Sequence, residues 1–132
     1  MVIKVKKAHL TLAVGMDLDL WVYPLLDAAR NPEVNTGKIG FLDLSGPIDK
    51  LEVLPPGAKV DASMGDIHPL GNPHYWLDPE NGKLIARQIA QRLTKLSPEN
   101  SDYFKANLKT FEGRIDSLIT SCWKKMERLG EI

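Results

Sequence analysis

The chain has 132 residues, 43% of them hydrophobic and 26% charged, with 17 basic side chains against 17 acidic ones. That is enough for one domain with a true core, and the balanced charge gives no footprint for nucleic acid or an anionic membrane surface. One cysteine, Cys122, excludes an internal disulfide framework and a thiolate zinc cluster.

The charge is unevenly placed. Residues 1–79 hold seven Lys/Arg and ten Asp/Glu, whereas 80–132 hold ten and seven. Such an offset fits a solvated helical face. No stretch approaches the roughly 20 apolar residues of a membrane span. The first residues lack the apolar core and cleavage site of a signal peptide, so the chain read from Met1 is expected to stay in the cytoplasm.

In chain order, Leu10-Thr11-Leu12-Ala13-Val14 is an apolar, β-prone run closed by Gly15 and reads as a buried strand. Leu18, Trp21, Val22, Leu25 and Leu26 then recur at helical spacing, with Asp17 as the expected N-cap. Pro24 falls inside this pattern, so the helix should kink or begin late, and Asn31-Pro32 should stop it. Lys38 to Leu44 reads as a second buried strand, with Asp43 at its end. From 45 to 72, Pro47, Pro55, Pro56 and Pro69 alternate with Gly46, Gly57, Gly65 and Gly71. Loops are expected there, with at most short strands near 51–54 and 58–62. Asp61 follows the second of these runs and is a further candidate carboxylate at a strand end.

A second character begins near Asp78. Asp78-Pro79-Glu80 is an N-cap followed by proline at the first helical position, where its missing N–H is harmless. Leu84, Ile85, Ile89, Leu93 and Leu96 make one helical face. Ser97-Pro98-Glu99 repeats the start signal. Phe104, Leu108, Phe111, Ile115, Leu118, Cys122, Met126 and Leu129 then form a stripe ending at Gly130. A helix over 98–129 is about 48 Å long at about 1.5 Å per residue, more than a domain of this size spans. The expected architecture is α/β: a small parallel sheet with flanking helices and a long C-terminal helix. Cys122 lies on the apolar stripe, where a core thiol is expected rather than a nucleophile.

The residues with the most chemical content lie between Gly65 and Pro79: two histidines, two aspartates, three prolines and two glycines in fifteen positions. Neutral imidazole is a common ligand for late first-row divalent metals, and a ligating ring must be held by its neighbours. Pro73 restricts Asn72 to extended backbone and stiffens the stem of His74. Tyr75 and Trp76 can wall off water, and Asp78 anchors the next helix. His74 is the leading candidate ligand, against the plainer reading of a histidine bonded to backbone. His68 is a weaker candidate, since its six-residue spacing from His74 matches no helical pair; a folded loop uniting both with Asp66 and Asp78 is the corresponding cluster. His9 beside the first strand reads as structural. No Gly-x-Ser-x-Gly motif, phosphate cradle or nucleophile accompanies the histidines, so no enzyme is expected.

Gly71-Asn72-Pro73-His74-Tyr75-Trp76-Leu77-Asp78-Pro79 resembles the signature of the zinc/manganese solute-binding proteins of ABC transporters, the TroA-like metal-binding lipoproteins and adhesins. The likeness extends to Lys6-Lys7-Ala8-His9-Leu10, to Gly15 through Trp21, to Asp78 through Ala90, and to Ser97-Pro98-Glu99-Asn100 with Tyr103. His9 stands where that family usually has aspartate. The resemblance implies two α/β lobes joined by one long helix, with zinc or manganese held between them by histidines and carboxylates. It carries His74 over as a ligand, with Asn72, Pro73, Trp76 and Asp78 bracing the loop. It also implies a partial first lobe over 1–96, an interlobe-type helix over 97–130, and no second lobe. The expected function follows: a fragment of a periplasmic or extracytoplasmic metal carrier serving an ABC permease, with an incomplete site that binds metal weakly. Self-association through the exposed helix, giving a homodimer, is the alternative.

Overall fold

The computed structural model describes residues 1–55, 57–58 and 68–130. Asp61, Gly65, Asp66 and nearly all of the expected 58–62 strand lie outside the described residues. The chain divides into two compact units, Met1–Tyr75 and Trp76–Ile132, close to the change of character at Asp78.

The first unit begins with a short helix that the sequence did not announce, α1 (Val2–Lys6), followed by strand β1 (Thr11–Ala13). Helix α2 (Val22–Ala29) starts late, as Pro24 demands. Pro24 is its third residue, where a backbone N–H would have no helical partner anyway. Asp17 does not cap α2: it sits in a left-handed turn at φ 63°, and Trp21 occupies the N-cap without a side-chain cap bond. A 3-10 turn, Pro32–Val34, follows. Asn31 caps it by accepting from the Glu33 N–H, while its amide donates to the carbonyls of Val5, Lys6 and Ala8. One asparagine thus ties the end of α1 to the turn after α2.

Strand β2 (Phe41–Asp43) pairs with β1 in parallel, in the register Thr11 to Phe41, Leu12 to Leu42 and Ala13 to Asp43. Both strands are shorter than the runs that announced them. Around them Ala13, Val22, Leu26, Val34 and Phe41 form the core, with Val5 and Ala8 packed on its edge. Tyr23 of α2 lays its ring 6.3 Å from Phe41. Residues 51–54 form no strand; the backbone there is irregular, with Glu52 at φ 58°.

The second unit is a pair of helices, α3 (Pro79–Leu96) and α4 (Ser101–Glu127), linked by a 3-10 turn, Pro98–Asn100. Asp78 caps α3, its carboxylate accepting from the Glu80 N–H at 2.8 Å. α4 has 27 residues, hence about 40 Å; the turn at Pro98 takes the first residues of the longer helix read from the sequence. Ile85, Ile89 and Leu93 face Phe104, Leu108 and Phe111 across the pair. Lys83 bridges to Asp116 at 2.7 Å and Arg87 to Glu112 at 2.5 Å. Hydrogen bonds to Asp116 and then Glu80 raise the Lys83 pKa. No described helix is long and apolar enough to cross a membrane.

Candidate metal centre

The site is built at the carboxyl ends of the two parallel strands, the edge where open α/β sheets present their ligands. β1 runs out at Val14 and Gly15, whose N–H groups both donate to the Asp19 carboxylate, at 2.7 and 3.0 Å. Gly15 has φ 82°, and a Cβ there would run into the Asp43 carboxylate, so only glycine fits. Asp43, at the end of β2, accepts from the Ser45 N–H and hydroxyl. The expectation of a carboxylate at a strand end holds for Asp43, and this carboxylate braces a turn.

The histidine loop is tied to this edge by a short hydrogen bond. The Tyr75 hydroxyl donates to the Val14 carbonyl at 2.6 Å, across 61 residues of sequence. Burial pushes the phenol up to about 12, with the Asp43 and Asp19 charges adding to it, so the donor stays protonated. Just before it, Pro73 is fully buried. Gly71 has φ 110°, and a Cβ there would lie 2.9 Å from the Leu51 carbonyl oxygen. The Asn72 N–H donates to that same carbonyl at 2.8 Å. His74 is therefore fixed on both sides, by a buried proline behind and a tethered tyrosine ahead.

The His74 ring is exposed, and its Nδ1 lies 3.0 Å from Asn72 Oδ1; the same oxygen accepts from the His74 N–H at 3.0 Å. The half-buried His68 ring stands edge-on to it, with centroids 6.3 Å apart at 76°. Two imidazoles sharing one zinc, with Zn–N of about 2.1 Å, have centroids roughly 5 Å apart. At 6.3 Å the two rings stand wider apart than that. Among the described residues no group of three or more His, Cys, Asp or Glu is gathered to hold a metal.

The other expected site residues separate by role. Asn72 and Pro73 brace His74 directly. Asp78 is committed to the α3 N-terminus. Trp76, 42% exposed, lies with Leu77, Phe111, Leu118 and Met126 along an apolar groove of the second unit. His9 is exposed beside β1. Sequence reasoning missed Glu52, whose carboxylate accepts from Asn72 Nδ2 at 3.0 Å. Its only local signal is the punctuation around it, which announces a loop and nothing of what the loop touches.

The family of the zinc-uptake complex component A, periplasmic (ZnuA), matches residues 1–131, and the chain belongs to it. The high-affinity zinc uptake system protein ZnuA of Brucella abortus is 40% identical over 45 residues, 34% of this chain and 14% of that protein. The manganese ABC transporter substrate-binding lipoprotein PsaA of Streptococcus pneumoniae is 38% identical over 58 residues, 44% of this chain and 19% of that protein. The metal ABC transporter substrate-binding lipoprotein SloC of Streptococcus mutans is 31% identical over the same length. The aligned segments thus span less than a fifth of the curated relatives' own length.

Proposed function

We propose that this chain carries one part of a divalent-metal site, with zinc or manganese as cargo to be delivered to an ABC permease outside the cytoplasm. The observation that carries the proposal is His74, an exposed imidazole on a stem fixed by buried Pro73 and the Tyr75 tether. On this reading His74 supplies a ligand and His68, whose ring stands 6.3 Å away, is the weaker candidate for a second. Residues 1–96 correspond on this reading to part of a metal-binding lobe, and 97–130 to the helix that leaves it. Capture and release break no covalent bond, so no catalytic group is assigned. Two imidazoles with water completing the tetrahedron give zinc fewer protein ligands than the three or four of its usual sites. The chain alone should accordingly bind weakly. Calorimetry with zinc and with manganese tests this: weak binding that disappears in His74→Ala and is reduced in His68→Ala is expected. Tight one-to-one binding would overturn the incomplete site, and binding indifferent to His74→Ala would overturn the ligand.

The exposed stripe on α4 favours a second reading, a homodimer formed through the helix. Leu118, Trp123 and Met126 are 52%, 60% and 47% exposed, and burying apolar surface yields roughly 25 cal/mol per Å². Sedimentation should find association that Leu118→Glu abolishes. A monomer at high concentration would discard this reading and leave the first untouched.

A further inference from the structure

The side-chain amide of Asn72 lies between two groups whose hydrogen-bonding abilities differ. Its Nδ2 is 3.0 Å from the Glu52 carboxylate, and its Oδ1 is 3.0 Å from both the backbone nitrogen and Nδ1 of His74. An ionised carboxylate only accepts, so the NH2 must face Glu52. A backbone N–H only donates, so the oxygen must face His74. Both partners favour the same orientation of the amide, and the bond to the charged carboxylate is the stronger of the two. An oxygen opposite Nδ1 requires the proton to be on Nδ1, and the neutral ring then carries its lone pair on Nε2.

We infer that Glu52 is a positioning residue for His74: through the Asn72 amide its carboxylate selects the Nδ1–H tautomer and the ring orientation in which Nε2 meets a divalent cation. A metal-binding imidazole ordinarily donates its other N–H directly to a carboxylate or carbonyl. Here an amide stands between the two and polarises along the chain of bonds, carboxylate to NH2 and carbonyl to imidazole. The backbone supports the same grouping. The carbonyl of Leu51, next to Glu52, accepts from the Asn72 N–H at 2.8 Å, so the two loops are clamped beside the carboxylate. Glu52 itself is held at φ 58°, in the left-handed region where glycine is at ease and a residue bearing a Cβ is disfavoured. Strain retained by an exposed glutamate is what a side chain kept for its carboxylate would show.

The tautomer half of this inference stands on the hydrogen bonds alone; the cation half rests on the reading of His74 as a ligand. Nitrogen-15 NMR of histidine-labelled protein separates the two, with the His74 signals assigned by their loss in His74→Ala. In the parent chain, Nδ1 should resonate as a protonated nitrogen and Nε2 as a bare one. Glu52→Gly removes the carboxylate and relieves the backbone, so the fold should be stabilised while the His74 ring redistributes towards the Nε2–H form. Glu52→Gln keeps an acceptor for Asn72 and should preserve the tautomer. Zinc titration of the same proteins should show affinity lowered about tenfold in Glu52→Gly. A proton found on Nε2 in the parent, or an unchanged tautomer in Glu52→Gly, overturns the inference. A shifted tautomer with unchanged zinc affinity overturns its cation half, and if His74→Ala also leaves zinc binding unchanged, it is the proposed function that has failed.

Discussion

The two units of this chain solve different problems with similar amounts of sequence. In the first, a five-residue core of Ala13, Val22, Leu26, Val34 and Phe41 is sealed from water, with Ala13 and Val34 at 0% exposure. In the second, neither α3 nor α4 contains a buried residue. All four described non-glycine residues with positive φ, Met16, Asp17, Arg30 and Glu52, belong to the first unit. Strained backbone persists only where surrounding structure over-determines it. A small sealed core therefore supports turns that hold a histidine in one orientation, while the helix pair supplies length and an apolar face. Holding a side chain in place and spanning a length call for different packing.

The largest effect expected to test this contrast is a cavity in the core. Leu26 is 2% exposed, and Leu26→Ala should destabilise the first unit by about 3 kcal/mol. Leu118→Ala on α4, at 52% exposure, should cost no more than about 0.5 kcal/mol. Residue-resolved amide hydrogen exchange reads both, since the β1 and β2 amides report the first unit and α4 amides the second. Equal losses from the two substitutions would mean that the helix pair is buried in solution by something that covers its face.

A smaller effect comes from the tether. The Tyr75 phenol is an acid whose folded pKa is raised, from 10.0 to about 12. Below pH 10 it is protonated in both folded and unfolded chains, and its contribution is complete. Between pH 10 and 12 the unfolded chain releases the proton first, so stability falls as pH rises. The loss amounts to roughly 2 kcal/mol by the upper end of that window. Tyr75→Phe should lower stability by about 1 kcal/mol near neutrality, from the lost bond to Val14, and should flatten the alkaline decline. Urea midpoints for both proteins at pH 8 and pH 11 decide it: parallel declines would mean that Tyr75 is not the buried donor.

Much of the helical unit was legible because its signals are local. Asp78 caps α3, with Pro79 behind it, as the residues themselves announce, and the long stripe became α4. The family signature likewise lies within nine consecutive residues. What stayed hidden depends on residues far apart in sequence. Glu52 reaches Asn72 across 20 positions and Tyr75 reaches Val14 across 61, and no periodicity encodes either bond. The misassigned cap has the same origin. Asp17 stood at the right spacing before an apolar run, but Asp19 binds the end of β1 and the intervening turn postpones the helix to Val22. Strand lengths were overread because apolar runs continue past the residues that pair.

The smallest effect lies in the helix pair itself, where propensity is the main term left to adjust. Gly113 sits inside α4 with open space where a Cβ would be. Glycine there gives up about 1 kcal/mol relative to alanine, through the entropy of its unfolded backbone. Gly113→Ala should recover most of this, seen as slower exchange of α4 amides with the β1 and β2 amides unchanged. Such a separation would mean that the units gain stability independently. A gain spreading equally into the strands would join them into one cooperative body, and the contrast between sealed core and open helix pair would then describe packing alone.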